Sequence, residues 1–226
     1  MKQKIKIITD VMMTAALLLL MGYQLWGELA HEITGTVMFL LFIAHHFLNI
    51  SWHKNLFKGK YTAVRTAILA VDILVLLAML IQMYCGVIIS KHIFGFLPIN
   101  SGMAIARRLH ILGAYWGFVL VSIHLGIHWN MVIGRFSEKI NKKNSRFNKF
   151  ILPAAGTATA IYGIIAFVKR NFISYLLLKN EFVFMDFDEP KVLFYIDYLA
   201  IMGLFIFISH LMFGVLKNKR SKNNFI

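Results

Sequence analysis

Four histidines occur as two pairs with one spacing in an apolar sequence. His31 and His45 are 14 residues apart, and so are His110 and His124. On an α-helix, 14 residues rise about 21 Å and return to within about 40° of the same face. Each segment therefore predicts a helix that carries one imidazole near each end of a single face. Imidazole is a common ligand of transition metals in proteins.

Two such helices side by side would bring the four imidazoles together as two pairs. One further predicted helix separates them along the chain, so both run in the same direction across a membrane. We therefore expect His31 to meet His110, as an outer pair, and His45 to meet His124, as an inner pair. Two facing imidazoles can ligate the iron of one b-type haem, so the pattern predicts two stacked haems.

Glycines and a methionine lie on the same faces between the paired histidines. A flat macrocycle held between two helices needs small side chains where its ring passes. The same glycines would also allow membrane helices to approach closely without any cofactor. The residues predicted to line the haem sites are Gly35, Met38, Gly113 and Gly117.

The composition of the chain is typical of a membrane protein. Of its 226 residues, 59% are hydrophobic, and the mean hydropathy is +0.69. A spanning helix needs about 20 mostly apolar residues, and six segments qualify. We predict an all-α, polytopic membrane protein, a single domain over residues 1–226, with its haem-binding core on the second and fourth helices. The predicted spans are residues 7–27, 31–50, 63–89, 106–133, 151–169 and 191–216.

The net charge of +14 is unevenly distributed around these spans. Most Lys and Arg residues fall at the two termini and in two connecting segments, 54–65 and 135–149. Basic residues accumulate on the cytoplasmic side of membrane proteins, so both termini are predicted to be cytoplasmic. This distribution disfavours nucleic acid as a partner. The single cysteine, Cys85, excludes an internal disulfide and a cysteine-based metal site.

The histidine segments also resemble a known family. The pattern HE-x-x-G, then HHFLN with a following Trp, then H-x-x-x-x-Y-W and HLGIHW, resembles the flavinylation-associated cytochromes of bacterial membranes. The stretch EFVFMDFDEPKVLFYIDYLAIMG is also similar to members of that family, so the resemblance spans nearly the whole chain. The spacing is similar, too, to that of cytochrome b in quinol-oxidising complexes and of transmembrane ferric reductases.

The resemblance implies electron transfer through two b haems across the bacterial cytoplasmic membrane. By the matched positions, the haem ligands would be His31, His45, His110 and His124. The donor would be the quinol pool or a cytoplasmic dehydrogenase, and the acceptor an extracytoplasmic flavoprotein. The sequence has no Gly-rich phosphate loop or dinucleotide fingerprint, so we expect the electrons to come from and go to other molecules.

Further polar residues lie near the predicted haem positions. His46 points about 100° away from His45 on a helix, and either residue could be the inner ligand. His46 and His128 could hold a third haem between them. Alternatively, they could form hydrogen bonds with a haem propionate or a quinone. Arg107 and Arg108 could pair with haem propionates or act as interface anchors.

Two aspartates and a zinc alternative complete the list. Asp72, near the middle of the third span, could orient a ligand histidine, belong to a proton or quinone path, or make a structural hydrogen bond. Asp10 is expected to be structural. The i, i+4 pair His124 and His128 also allows zinc chelation, but Gly35 stands where a zinc protease has its second histidine.

Two other functional classes compete with electron transfer. The first is a self-contained ferric or quinone reductase. The second is a transporter or scaffold without cofactor, whose histidines handle protons.

Overall fold

The described part of the chain folds into helices and connecting turns. The computed structural model describes residues 2–99, 101–140, 150–184 and 186–223, and no strand occurs in these ranges. The segment 141–149, part of the predicted basic inner loop, lies outside them. The helices are α1 (Lys2–Met21), α2 (Tyr23–Leu48), α3 (Ile50–Asn55), α4 (Ala63–Ile89), α5 (Met103–Ile127), α6 (Trp129–Ile140), α7 (Leu152–Lys169), α8 (Phe172–Leu176) and α9 (Lys191–Asn223).

Five of these helices are long and apolar enough to cross a membrane, namely α2, α4, α5, α7 and α9 up to Lys217. The predicted count of six is not confirmed, because every 18-residue segment of α1 contains Lys4, Lys6 and Asp10. Many large apolar side chains on the five helices are exposed, as at Leu40, 61% exposed, and Val168, 69% exposed. Such a surface requires an apolar surrounding, as in a multi-pass membrane protein.

α1 and α2 form an antiparallel helical hairpin. The chain turns at Gly22, and the Nζ of Lys6 near the start of α1 donates to the Oδ1 of Asn49, just after α2, at 3.0 Å. Gly27 interrupts the helical backbone inside α2 with a φ of +82°, a conformation that glycine adopts at little cost. The boundary predicted between residues 27 and 31 therefore lies earlier, at Gly22 and Gly27.

The remaining long helices form a packed row. α4 packs against α5, α5 against α9, and α9 against α7, whereas α2 approaches α4 at only a few positions. The predicted span 106–133 is divided, because α5 ends at Ile127 and α6 begins at Trp129. α2 and α5, the helices that carry the histidine pairs, therefore keep space between their backbones.

An aromatic core fixes α5 against α8 and α9. The ring of Tyr115 stacks on that of Tyr175 with centroids 4.6 Å apart, and the ring of Phe118 meets that of Tyr198 at 5.7 Å. Tyr115 lies about 140° around the helix from His110. The core therefore occupies a different side of α5 from the histidines and leaves their face free for other contacts.

An ionic cluster ties the end of α7 to the start of α9. The buried carboxylate of Asp197 accepts hydrogen bonds from the Tyr162 hydroxyl at 2.5 Å, Lys169 at 3.0 Å and Arg170 at 2.9 Å. Glu189 pairs with the same two cations, at 2.9 Å from Lys169 and 2.6 Å from Arg170. Burial acts to raise the pKa of Glu189, but hydrogen bonds from these cations outweigh it and hold that pKa below its ordinary value.

Candidate functional site

The outer pair of histidines meets in the structure. The ring centroids of His31 on α2 and His110 on α5 are 6.0 Å apart, with an angle of 75° between the ring planes. The Nδ1 atoms of both rings are buried and have no hydrogen-bond partner. Buried polar nitrogens without partners are costly, so two of them beside each other suggest a ligand between the helices.

The separation of these rings matches that needed for a shared metal ion. A metal–imidazole nitrogen bond is about 2.0–2.1 Å long, so two imidazoles on opposite sides of one metal ion have ring centres about 6 Å apart. The observed value of 6.0 Å agrees with that arrangement. The outer pair therefore fits a bis-imidazole centre such as a b-type haem iron.

Each histidine of the inner pair is held by a carboxylate. The Nδ1 of His45 lies 2.8 Å from the Oδ1 of Asp10, and the Nδ1 of His124 lies 2.9 Å from the Oδ1 of Asp72. An imidazole that donates from Nδ1 to a carboxylate keeps its Nε2 lone pair available for a metal. Both rings of the inner pair therefore have the carboxylate contact that would favour this tautomer.

The two carboxylates occupy equivalent places in the fold. Asp10 lies on α1, which precedes the histidine-bearing helix α2, and Asp72 lies on α4, which precedes α5. The other oxygen of Asp72, Oδ2, accepts a hydrogen bond from the indole nitrogen of Trp52 at 3.0 Å. Asp72 thus contacts one of the four paired histidines, and its role in orienting a metal ligand stays a prediction. Asp10, expected to be only structural, makes the same kind of contact.

Space remains beside the histidine faces at two of the predicted glycines. Gly117 is buried, yet a Cβ atom added there would meet nothing within 4 Å, and one at Gly35 would meet only Leu20, at 3.9 Å. Gly113 differs, because the amide of Gln82 fills the space beside it, with Oε1 2.8 Å from the Cβ position. Met38 is buried, with 4% exposed. Gly35 and Gly117 thus border open volume, whereas Gly113 does not.

Gln82 belongs to the outer pair's surroundings, although the sequence did not single it out. Its Oε1 is buried without a hydrogen-bond partner. One turn further along α4, a Cβ at Gly86 would lie 3.7 Å from the Cε1 of His110. A polar amide within the apolar stretch 73–89 of α4 was the available signal for Gln82. The outer pair thus has an uncharged amide nearby on α4, whereas Asp72, earlier on the same helix, contacts the inner pair.

Glu32 fastens the segment after α4 beside the outer pair. Its carboxylate accepts from the hydroxyl of Ser90 at 2.6 Å and from the backbone N–H groups of Lys91 at 2.8 Å, His92 at 3.0 Å and Ile93 at 2.8 Å. The glutamate of the HE-x-x-G pattern therefore anchors a loop, and its oxygens are occupied by that loop.

His46 and His128 each lie against a different histidine. The Nδ1 of His46 lies 3.0 Å from the Nε2 of His53, while the ring of His128 lies 4.9 Å from that of His124. The ligand atoms of Asp72, His124 and His128 all lie within 4.8 Å of one another, close enough to hold a metal ion. The predicted third haem between His46 and His128 gains no contact here, whereas the zinc alternative gains a third ligand.

Arg107 and Arg108 lie near the start of α5, on the side of the outer pair. The Nε of Arg108 pairs with the Oε1 of Glu181 at 3.0 Å, and both arginines line a shallow surface pocket with Phe182. The predicted contact with haem propionates stays a prediction. Arg108 already has a protein carboxylate as a partner.

A cleft opens next to Asp72 at the other end of the bundle. Apolar side chains form much of its wall, and the indole of Trp52 and the guanidinium of Arg65 border it. Small-molecule sites commonly combine an apolar lining with a few placed polar groups. The lining includes Trp52, Leu56, Arg65, Ile68, Leu69 and Asp72.

Comparisons with protein-family models, with curated proteins and with solved structures find no match to this chain. Its function is therefore inferred from the geometry of these residues.

Proposed function

We propose that the protein is a di-haem b-type cytochrome that carries electrons across a bacterial cytoplasmic membrane, and that it belongs to the flavinylation-associated cytochromes. The observation that carries this proposal is the outer pair, whose rings lie 6.0 Å apart with both Nδ1 atoms buried and without partners. Ionisable residues inside spans are costly and mark functional sites. A cofactor ligated by the two rings between α2 and α5 would account for two imidazoles lying this close together.

The chain's residues would hold and insulate two cofactors. A bound haem supplies one-electron chemistry through its iron. The outer pair and the inner pair supply axial nitrogens, and Asp10 and Asp72 keep the inner rings in the ligating tautomer. Gly35 and Gly117 leave volume for a flat ring. Met38, midway between His31 and His45 in the sequence, fills the region between the two sites.

The direction of transfer that we propose is outward, from a cytoplasmic-side donor to an extracytoplasmic flavoprotein. The basic residues at both termini support a cytoplasmic location for the end of α2 that carries the inner pair. The cleft beside Asp72 supports a quinol as the donor, because its apolar wall suits a lipid-soluble ring and it borders the carboxylate that contacts His124. A cytoplasmic dehydrogenase is the other donor consistent with this direction.

Visible spectra of the purified protein test the proposal directly. We expect reduced-minus-oxidised spectra with b-type bands and two haems per chain. His31→Ala and His110→Ala should each remove the same haem, and His45→Ala and His124→Ala the other. His210→Ala, which changes a histidine on α9, is the matched control and should retain both. Absence of b-type bands after expression with ample haem would refute the proposal.

A second candidate, a non-haem metal site, is favoured by the cluster of Asp72, His124 and His128. A divalent ion would take one nitrogen from each histidine and one carboxylate oxygen. This second candidate predicts a colourless protein that retains about one metal ion per chain. His128→Ala separates the two functions, since it should remove this ion but leave both haems of the cytochrome in place.

A further inference from the structure

We infer that Asp10 and Asp72 make the inner pair the site of lower reduction potential, so that outward electron transfer runs downhill. This inference depends on the proposed function, because it concerns haem iron held by the two pairs. It assigns to the two aspartates a role as positioning and tuning residues, and it gives the direction of flow.

The two pairs differ in what their Nδ1 atoms contact. In the inner pair each Nδ1 lies within 2.9 Å of a carboxylate oxygen. In the outer pair both Nδ1 atoms are buried without any hydrogen-bond partner. The difference is one of charge and hydrogen bonding, since all four ligands are the same residue type.

No carboxylate in the described part of the chain hydrogen-bonds to the outer pair. The nearest in sequence is Glu32, next to His31, and its two oxygens accept from Ser90 and from the backbone of Lys91 to Ile93. These donors partly neutralise its charge. The side chain of Gln82 in the same region is an uncharged amide. The outer imidazoles therefore lack a negatively charged hydrogen-bond acceptor.

A carboxylate at Nδ1 changes the electron donation of an imidazole ligand. As the Nδ1–H bond polarises toward the carboxylate, the ring gains imidazolate character and its Nε2 becomes a more basic ligand. A more basic ligand and a nearby negative charge both favour the ferric over the ferrous ion. The hydrogen bond is stronger in a low-dielectric interior than in water. Iron held by the inner pair should therefore be harder to reduce than iron held by the outer pair.

Asp72 should have a larger effect than Asp10. The side chain of Asp72 is 11% exposed and that of Asp10 is 43% exposed. Asp72 is also fixed by the indole of Trp52 at 3.0 Å. Greater burial and a second hydrogen bond hold the Asp72 carboxylate more firmly on its histidine, with less screening of its charge.

Potentiometric titration of variants that retain one haem tests the order of potentials. His31→Ala leaves only the inner haem and His45→Ala only the outer haem, so mutual repulsion between two reduced haems is absent from both. At one applied potential, we expect the ratio of reduced to oxidised haem to be at least tenfold smaller for the inner haem. For a one-electron couple this corresponds to about 59 mV. Equal or reversed potentials would overturn the inference.

Substitution of the aspartates in the His31→Ala background tests the cause. Asp72→Asn should raise the midpoint potential of the inner haem, Asp10→Asn should raise it less, and Asp72→Glu should return it toward the starting value. Glu28→Gln, which removes a carboxylate that contacts Lys91 and His92 rather than His45 or His124, is the control and should leave it unchanged. An unchanged potential in Asp72→Asn with haem retained would refute the role of Asp72.

Failure of the proposed function and failure of this inference would give different results. A purified wild-type protein without b-type bands refutes the proposed function itself. A protein with two b haems of the same potential leaves the proposed function intact and refutes only this inference. If the asparagine variants lose haem, the comparison of His31→Ala with His45→Ala still decides which haem has the lower reduction potential.

Discussion

The carboxylate of Asp72 on α4 lies 2.9 Å from the Nδ1 of His124 on α5, across 52 residues of sequence. The same relationship recurs between Asp10 on α1 and His45 on α2, at 2.8 Å. Each of the two helices that carry a histidine pair is thus preceded by a helix that supplies a carboxylate to its inner histidine. This repetition links the fold to the proposed chemistry, because a shared scaffold orients both inner imidazoles.

Removal of the Asp72 side chain should weaken cofactor retention at the inner pair. Asp72→Ala leaves the Nδ1 of His124 without an acceptor, and loss of such an outer partner commonly costs 10–100-fold in metal affinity. Titration of haem into the depleted protein should show this loss at one site only. Trp52→Phe, which leaves the contact between Asp72 and His124 in place, should have a smaller effect. Equal losses at both sites would contradict an assignment of Asp72 to the inner pair.

A large side chain at Gly117 should exclude cofactor without unfolding the bundle. The space beside this buried glycine is open in the structure, so leucine can enter it and would occupy the volume proposed for the haem ring. We expect Gly117→Leu to lower the haem content measured from the visible spectrum, with unchanged helical circular dichroism. Gly214→Leu, at another glycine with open space on α9, is the matched control. Full haem content in Gly117→Leu would show that no ring passes there.

Loss of the Asp197 carboxylate should destabilise the contact between the end of α7 and the start of α9. Asp197→Ala would leave the buried guanidinium of Arg170 short of a partner, and breaking a buried ion pair from one side costs about 3–5 kcal/mol. The lower end of that range is expected, because Lys169 is half-exposed and can be hydrated. Thermal unfolding in detergent should show the loss, whereas Asp188→Ala, at an exposed position, should change little. A wild-type-like unfolding temperature for Asp197→Ala would mean that the cluster adds no net stability.

The same cluster predicts a dependence of stability on acid. The pKa of Glu189 lies below its ordinary value of 4.5 in the folded protein. Its ionised form is therefore favoured by folding, so its contribution is complete above about pH 4.5 and is lost as the pH falls through the lower folded value. Unfolding measured between pH 7 and pH 3 should show a smaller acid-induced loss for Glu189→Gln than for wild type. Identical acid profiles would contradict a stabilising role for the ionised carboxylate.

Glu32 should control the order of the segment after α4. Glu32→Ala removes the acceptor of backbone N–H groups from Lys91 to Ile93, and each unsatisfied donor costs about 1–3 kcal/mol where water cannot replace the acceptor. Amide hydrogen exchange over these residues should become faster, while exchange in the middle of α4 stays slow. Asp188→Asn, at an exposed position before α9, is the control. Unchanged protection of the segment in Glu32→Ala would show that its turn is held by other contacts.

The sequence was sufficient to predict the helices and the meeting of His31 with His110. Apolar length predicts spanning helices because the bilayer core has a fixed thickness, and the 14-residue spacing places two histidines on one face because helix geometry is regular. The predicted count of six spans is not confirmed, because α1 carries the charges of Lys4, Lys6 and Asp10 among its apolar residues. The break at His128 also escaped prediction, since no proline or glycine marks that residue.

Tertiary structure alone decided which groups surround each histidine. The register of the α1–α2 hairpin depends on the turn at Gly22 and brings Asp10 to His45, a pairing that helical periodicity within one segment does not contain. The same holds for Asp72 with His124 and for Gln82 beside Gly113. Local geometry fixes which face a residue occupies, whereas contacts between helices depend on how whole helices pack. The sequence thus determined four candidate ligands, and packing decided that two carry carboxylates and two do not.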